Sequence, residues 1–340
     1  MKVKYEKRIN EDTVCNSCNY ACLLYTSLDG ITEIKNLKVS GTITLTGASG
    51  VDNFYVGGLA GSATFSDITN VTADVDISAS GEMSGSHFGG IVGFATDIKF
   101  SNCVNYGDIR GNASVAGIVS WASKDLSGFG SVIDRCANYG EIYAADTAVI
   151  NNAGGIVADA GKVTITNCYN AGKIGSNDMS ARAGGIAGAG CNYTSGDTEK
   201  QTVVKNCFNV GTFYCDGYMD FLSNGAQIIG SFNQPDSKYD QAVVENVYYN
   251  TNVYYNGTQT TIKGMYALNE NYKDSAVAKT AEEMASQEFV DLLNKNAGET
   301  VFAKGDTYPV FAADEPEHEH SVECWVDKYT PCLLYTSRCV

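Results

Sequence analysis

The stretch Ala153-Gly154-Gly155-Ile156-Val157 is followed, after a short insert, by Ile165-Thr166-Asn167-Cys168-Tyr169-Asn170-Ala171-Gly172-Lys173-Ile174. Together they form the clearest copy of a unit that recurs from about residue 31 to residue 253. The apolar runs between the glycines are too short for helices and suit strands. A unit repeated at this length is typical of a solenoid, in which each copy forms one coil.

A column of residues that contains Cys168 can be followed through seven copies of the unit. Its members lie 32 to 40 residues apart and are Leu37, Val71, Cys103, Cys136, Cys168, Cys207 and Val247. Three positions earlier every copy is apolar: Ile34, Ile68, Phe100, Ile133, Ile165, Val204 and Val244. Six positions later the same holds for Ile43, Ile77, Ile109, Ile142, Ile174, Phe213 and Val253. Three apolar columns in one register indicate side chains that share a core.

Asparagine and glycine surround this column at fixed positions. Asparagine comes one residue before it at Asn36, Asn70, Asn102, Asn167, Asn206 and Asn246, and two residues after it at Asn105, Asn138, Asn170 and Asn209. Both residue types tolerate left-handed backbone angles, which predicts a turn. Coils stacked at ~4.8 Å would let asparagine side chains hydrogen-bond along the stack. We therefore predict an all-β fold, a parallel β-helix of about seven coils over residues 28–255.

A glycine-rich cassette precedes most of the columns, as in Gly57-Gly58-Leu59-Ala60-Gly61 and Gly89-Gly90-Ile91-Val92-Gly93. These cassettes, with the downstream Asn-Cys-x-Asn-x-Gly turn, resemble the GLUG motif repeats of bacterial surface proteins over residues 28–312. The resemblance implies a right-handed helix and an adhesin-like protein of gut Firmicutes at an extracellular or cell-surface location. Such repeats also stand beside the catalytic part of immunoglobulin A metallopeptidases.

Residues 256–312 are expected to cap the solenoid, because an exposed last coil needs a closing segment. Thr280 and Glu283 form a capping box that predicts a helix over about 280–296, with Gly298 just past its end. Four apolar residues lie on one face of that helix: Met284, Phe289, Leu292 and Leu293. A short strand is predicted at Tyr308-Pro309-Val310-Phe311.

The hexapeptide Cys-Leu-Leu-Tyr-Thr-Ser occurs at Cys22–Ser27 and again at Cys332–Ser337, outside the repeat frame. It resembles the translated end of a transposase-based sequencing adapter, and Arg338-Cys339-Val340 resembles the inverted end. Residues 1–27 are therefore interpreted as a chimeric segment, residues 332–340 as adapter-derived, and the chain as a metagenomic fragment. Residues 313–331 are expected to form an acidic linker and the start of a truncated tail.

The charge balance argues against two classes of partner. The chain has 39 acidic and 23 basic residues and a net charge of −16, which repels nucleic acid and anionic membranes. No apolar run approaches the roughly 20 residues of a membrane span.

Cysteine and histidine offer few metal sites. The four column cysteines alternate with Leu and Val in other copies, which predicts small buried side chains rather than disulfides or ligands. Cys191 and Cys215 lie in inserts and could pair or stay free, and Cys15-Asn16-Ser17-Cys18 is half of a zinc-type knuckle without a second pair. His318-Glu319-His320 lacks the spacing of a zinc peptidase, so the peptidase association does not transfer. His87 has no visible partner in the sequence.

Carboxylates and aromatic residues are the remaining candidates. Five aspartates lie near the early coils without a repeating or paired spacing, where they could serve turns or acid–base chemistry on a polysaccharide: Asp67, Asp74, Asp76, Asp97 and Asp108. An aromatic ridge near the turn could stack on sugars, bury a partner's surface or pack within the solenoid: Tyr106, Tyr139, Tyr169, Phe208, Tyr248 and Tyr249.

These observations favour a non-catalytic structural or adhesive module of a secreted or cell-surface bacterial protein, with a glycan or a host protein as partner. No catalytic residue, metal site or cofactor is assigned, and the binding residues stay open. The alternatives are a polysaccharide-active β-helix lyase or hydrolase and an accessory domain of a surface peptidase.

Overall fold

A computed structural model describes residues 2–9, 20–22, 25–30, 32–46, 54–81, 85–112, 114–123, 130–145, 152–176, 182–191, 202–215, 225–232, 242–251, 254–255, 258–259, 264–265 and 275–312. These residues form a parallel β-helix of three sheets, as predicted. Each coil contributes to the three sheets in turn, so strands that are neighbours in a sheet come from successive coils.

Sheet A holds the predicted apolar columns. Its 18 strands are Lys2–Ile9, Thr32–Thr46, Ser66–Ser80, Lys99–Ser101, Val104–Asn105, Ile109–Gly111, Ser131–Asp134, Ala137–Asn138, Ile142–Ala144, Val163–Thr166, Tyr169–Asn170, Ile174–Ser176, Val203–Lys205, Phe208–Asn209, Phe213–Cys215, Val243–Glu245, Val247–Asn250 and Ala276–Lys279.

Sheets B and C flank the glycine-rich cassettes. Sheet B consists of Tyr20–Cys22, Tyr55–Gly57, His87–Gly89, Ser114–Ala116, Asn152–Gly154, Arg182–Gly184 and Gly225–Ala226. Sheet C consists of Tyr25–Leu28, Ala60–Thr64, Val92–Thr96, Val119–Ser123, Val157–Gly161, Ala187–Cys191 and Ile229–Phe232. A tight turn at the middle of each cassette separates the two sheets.

The register of sheet A confirms the alignment of the copies. Ile133 pairs with Phe100 on one side and with Ile165 on the other. In the five coils from Ile68 to Val204, the side chains three positions before the column are 0% exposed. The column residues from Val71 to Val247 are 0% exposed as well. Val253 lies outside the described residues. The interior of the solenoid is thus a continuous apolar core.

The asparagine turn is confirmed in its backbone geometry. The residue before the column has a positive φ in all seven coils, between 52° and 58°, at Asn36, Asn70, Asn102, Arg135, Asn167, Asn206 and Asn246. Asparagine tolerates this left-handed conformation better than other non-glycine residues because its short polar side chain can bond locally. The turn bends sheet A and keeps the column side chain inside.

The N-terminal segment differs from the prediction. Strand Tyr20–Cys22 adds one parallel strand to sheet B, and Tyr25–Leu28 adds one to sheet C, so together they form a further rung, or coil level, of the solenoid. Tyr20 pairs with Tyr55, and Leu28 pairs with Ala63. The expectation that the first hexapeptide lies outside the repeat frame is therefore wrong. Parallel pairing needs extended backbone rather than the cassette glycines, so the glycine pattern did not reveal this rung. The domain boundary at residue 28 stays a prediction.

The predicted C-terminal helix is present as two helices, α1 (Ala281–Met284) and α2 (Gln287–Ala297). The capping box of Thr280 and Glu283 begins α1, and Ser286 begins α2 by accepting a hydrogen bond from the Phe289 amide. Gly298 ends α2 with φ 78°. The second N-cap explains why one predicted helix is two.

The cap lies on the flank of the solenoid as well as at its end. Strand Ala276–Lys279 pairs with Val247–Asn250 and covers the last coil. Both helices, and the hairpin of Phe302–Ala303 and Val310–Phe311, then pack against the outer face of sheet A. A second small hairpin joins Tyr254–Tyr255 to Thr258–Gln259.

Candidate functional site

The predicted aromatic ridge lies on the outer face of sheet A, and most of it is covered. Tyr169 and Phe208 stack with ring centroids 4.9 Å apart, and both are buried with Tyr248 under the C-terminal helices and hairpin. Phe289 of α2 contacts Phe208 and Tyr248 at 5.8 and 5.2 Å. These three ridge residues therefore anchor the cap rather than face a partner.

Only the N-terminal end of the ridge, among its described members, is open. Tyr106 is 49% exposed and stacks on Tyr139, with centroids 4.9 Å apart and the ring planes 6° from parallel. The Tyr139 hydroxyl bonds to the hydroxyl of Tyr169, and burial raises the pKa of both phenols. Tyr249 is half-buried against the interior core.

The predicted aspartates are engaged in structural contacts. Asp76 accepts a hydrogen bond from the Asp108 amide at 3.0 Å, and Asp108 accepts one from the Glu141 amide at 2.7 Å. These three residues share the position five after the column, so the expectation that the aspartates do not repeat is wrong. Each carboxylate caps the turn of the next coil.

The other aspartates are dispersed. Asp97 is fully buried at a left-handed corner and accepts from the Gly130 amide at 2.5 Å. Asp74 lies 3.9 Å from Lys38, and Asp67 is exposed.

The four column cysteines are buried free thiols, which confirms their predicted role as small core side chains. Burial raises the pKa of Cys136, Cys168 and Cys207 far above the ordinary thiol value, so these groups stay protonated. The Cys168 thiol donates to the Thr166 carbonyl at 3.0 Å. Cys15, Cys18, His318 and His320 lie outside the described residues, and so do the side chains of Cys191 and Cys215.

A Cys168→Val substitution should lower the free energy of unfolding by less than about 1.5 kcal/mol, since the volumes are similar and only weak thiol hydrogen bonds are lost. Cys168→Asp should unfold its coil, because it buries a carboxylate without a matched partner. Denaturant unfolding of both variants measures the contrast, and equal tolerance would show that the column is not a core.

A site that the sequence did not reveal lies where sheets B and C approach each other. An added Cβ on Gly93 of sheet C would be 2.4 Å from the Val56 amide nitrogen of sheet B. The same approach recurs at Gly230, whose added Cβ would be 2.4 Å from the Ala183 carbonyl oxygen. The two sheets therefore form a narrow angle, and their outer side chains meet along a line parallel to the solenoid axis. We call this line the B–C crease.

Four aromatic rings form a continuous tile in the first half of the crease. Tyr55 and His87 stack along sheet B at 5.8 Å, and Phe94 and Trp121 stack along sheet C at 6.1 Å. Across the crease, Tyr55 lies 4.9 Å from Phe94, and His87 lies 5.2 Å from Trp121. All four rings are partly exposed. The tile spans three coils.

The second half of the crease is polar. Asn152 of sheet B donates through Nδ2 to Asp159 of sheet C, and both residues are more than nine-tenths buried. Arg182 pairs with Asn152 in sheet B and is partly exposed. The Asn152 Oδ1 atom is buried and has no hydrogen-bond partner. An unpartnered buried carbonyl oxygen is costly and usually has a reason.

The crease residues occupy two further columns, which an alignment of the repeats could have identified. Two positions before the cassette stand Tyr55, His87, Ser114, Asn152 and Arg182; five positions after its first residue stand Ser62, Phe94, Trp121 and Asp159. Some coils carry an aromatic residue at these positions and others a polar or charged one. A criterion that requires an apolar residue in every coil therefore does not identify them. His87 does have partners here, which corrects the expectation from sequence.

His87 should make stability fall in mild acid. Its ring lies 3.3 Å from the Ser120 hydroxyl, and burial lowers its pKa from 6.5 to about 4. As the pH falls, His87 is protonated in the unfolded chain before it is protonated in the folded protein. Its contribution to stability is therefore fully present above pH 6.5 and is lost as the pH falls towards 4. The loss should be about 2 kcal/mol after allowing for partial exposure of the ring.

Denaturant unfolding at pH 7.5 and pH 4.5 tests this, with His87→Phe as the control because phenylalanine keeps the ring and removes the titration. The variant should lose about 2 kcal/mol less than the wild type over this interval. An identical loss in both proteins would show that His87 does not couple folding to pH.

The described residues contain neither a membrane-spanning helix nor a metal-binding cluster. No helix in the described part of the chain is long and apolar enough to cross a membrane. No group of three or more His, Cys, Asp or Glu side chains among those residues is placed to hold a metal ion.

Comparison with known proteins supports the repeat assignment. The model of the family described as "The GLUG motif" matches residues 52–78, which include one cassette and the following rung of sheet A. A solved structure described as a "putative immunoglobulin A1 protease from Bacteroides ovatus" shares 18% identity, with a TM-score of 0.46, over 93% of this chain and 87% of that one. The search of curated proteins found no match.

Proposed function

Since this chain is a GLUG-motif repeat protein folded as a parallel β-helix, we propose that it is a non-catalytic adhesive module of a secreted or cell-surface bacterial protein. Its role is to hold a binding face in a fixed, extended geometry. The partner is a glycan or a glycosylated host protein.

The observation that carries this proposal is that successive coils are paired and share one buried core, while the outer residues differ from coil to coil. Every rung of sheet A is paired in parallel with the next, from Thr32 to Lys279. The interior columns are filled by side chains that are almost completely buried. A solenoid of this kind presents a long surface whose outer residues can change without disturbing the core.

The state of the predicted carboxylates supports a non-catalytic role. Asp76 and Asp108 accept hydrogen bonds from backbone amides of the following coil, and Asp97 is buried at a corner. Hydrolysis of a glycosidic bond by the usual route needs two carboxyl groups on opposite sides of the scissile bond. Asp76, Asp97 and Asp108 instead accept hydrogen bonds from backbone amides.

Affinity gel electrophoresis of the full chain tests the proposal, with hydroxyethyl cellulose, xylan, galactomannan, polygalacturonate or mucin cast into the gel. We expect retardation by at least one of them. Parallel incubations should release no reducing ends and no unsaturated products. Retardation by none of the five would contradict the adhesive role.

Cleavage of any of these polysaccharides would support the alternative function, that of a polysaccharide-active enzyme. In that case Asp76→Asn and Asp108→Asn should abolish it, because these are the repeated carboxylates of the outer turns. Turnover that both variants retain would contradict a non-catalytic role and move the search to other carboxylates.

A further inference from the structure

The aromatic tile of the B–C crease has the dimensions of a sugar-binding platform. Its rings recur once per coil along the solenoid axis, with centroids 5.8 Å apart on sheet B and 6.1 Å apart on sheet C. This spacing is close to the length that one pyranose residue adds to an extended chain. Aromatic side chains offer large, rigid apolar contact area, and a site for a small ligand combines such area with a few placed polar groups.

The polar half of the crease supplies those groups. Asn152 and Asp159 lie on the same two sheets as the tile and follow Ser114 and Trp121 by one coil. The Asn152 Oδ1 atom is buried, and its hydrogen-bonding capacity is unused within the protein. A sugar hydroxyl that reaches this oxygen would donate to it and remove the penalty of an unpaired buried acceptor.

The charge of the crease selects among glycans. None of the four described ring side chains of the aromatic half carries a positive charge at pH 7, because the lowered pKa of His87 leaves its ring neutral. Among its described residues, the polar half contains the carboxylate of Asp159 and the guanidinium of Arg182. With a net charge of −16 over the whole chain, polyanionic glycans are repelled and neutral ones are not.

We propose that the B–C crease binds a neutral, extended oligosaccharide, with its sugar rings in contact with Trp121 and Tyr55 and a hydroxyl donating to Asn152. This inference rests on the proposed adhesive function and names its site and ligand class. It places binding on the face formed by the cassettes and leaves the covered aromatic ridge with a structural role.

The chain offers a direct reporter, because it has two tryptophans, Trp121 in the crease and Trp325 near the C-terminus. A Trp325→Phe variant of the full chain leaves Trp121 as the single tryptophan, whose emission can be excited selectively over that of the tyrosines. Titration with cellohexaose, xylohexaose and mannohexaose should change its emission in a saturable way for at least one. The complementary Trp121→Phe protein, with Trp325 as its fluorophore, should show no change.

Substitutions then locate the site. Trp121→Ala and Tyr55→Ala should each weaken binding of the responding hexasaccharide on the order of tenfold or more, as expected for aromatic anchors. Tyr106→Ala, which removes an exposed ring from the other face, should leave the affinity within about twofold of the wild type. Isothermal titration calorimetry gives the affinities, and circular dichroism with thermal melts shows that each variant is folded.

Three results would overturn the inference. If a polysaccharide retards the full chain but no hexasaccharide changes Trp121 emission, adhesion stands and the crease is not its site. If Tyr106→Ala abolishes binding while Trp121→Ala does not, the open end of the ridge is the site. If only polygalacturonate binds, the ligand class is wrong. Failure of all glycans and of mucin contradicts the proposed function itself.

Discussion

Asn138→Leu should destabilise the solenoid by about 4 kcal/mol, the sum of the three buried polar groups that it leaves unpaired. Asn138 donates through Nδ2 to the Gly140 carbonyl at 2.9 Å and to Asn170 Oδ1 at 2.8 Å. Its own Oδ1 accepts from Asn105 at 2.8 Å. Leucine has a similar volume, so the effect should come from the missing hydrogen bonds rather than from a cavity.

This asparagine belongs to a buried ladder that joins five coils. Asn105, Asn138, Asn170 and Asn209 each donate to the next amide, and Gln227 accepts the last bond at 2.8 Å. The orphaned atoms lie at the two ends, where Asn105 Oδ1 and Gln227 Nε2 have no partner. Breaking the ladder in the middle adds unpaired groups on both sides of the break.

Hydrogen exchange with mass spectrometry, together with denaturant unfolding, is the measurement, because a solenoid can open coil by coil. Protection should fall most in the coils of Asn105, Asn138 and Asn170. Asn112→Leu is the control, since this amide donates to the Gly81 carbonyl at an exposed position. It should change stability by no more than about 0.5 kcal/mol. Equal effects of the two substitutions would show that the buried ladder contributes no more to the free energy of unfolding than an exposed hydrogen bond does.

Gly155→Ala should destabilise the protein by about 3 kcal/mol or prevent folding, because the cassette has no room for a side chain at its second position. An added Cβ would be 2.1 Å from the Gly185 carbonyl oxygen and 2.6 Å from the side chain of Asn170. The first of these atoms is backbone, which cannot move away without breaking the pairing of sheets B and C. The reason is steric, since Gly155 does not have a positive φ.

Gly161→Ala in the same coil is the matched control. Its added Cβ would be no closer than 3.5 Å to the Ala122 carbonyl oxygen, which is ordinary contact. This variant should be neutral or slightly stabilised, because alanine restricts the unfolded chain. Thermal melts of the two variants should therefore differ by many degrees. Similar melting temperatures would mean that the cassette can expand.

The coil that lacks glycine at the second cassette position agrees with this steric explanation. The second cassette position is glycine in every coil whose sheet A strand carries the buried asparagine. Gly117, for example, lies directly against the side chain of Asn138. In the last cassette that position is Gln227, and the next rung of sheet A carries Tyr249 in place of asparagine. In the coil of Gly58 the asparagine position is held by Ala73, so the asparagine can be lost alone. Among the six cassettes the glycine is replaced only in the coil of Gln227, which also lacks the asparagine.

The sequence by itself determined the fold of the repeats. Apolar columns at three constant positions specify which side chains face inward, and asparagine before the column specifies the left-handed turn. Both are local properties that recur in every coil, so an alignment of the chain with itself contains them. The capping box predicted where the C-terminal helix begins for the same reason.

Tertiary structure decided which outer surfaces are available. The aromatic residues of the ridge look alike in sequence, yet the cap buries Tyr169 and leaves Tyr106 open, since a helix distant in the chain docks on one and not on the other. The crease was equally invisible, because Tyr55, Phe94 and Trp121 lie on different strands and meet only where sheets B and C converge. Contacts between sheets depend on the angle at the cassette turn, which no single copy of the repeat encodes.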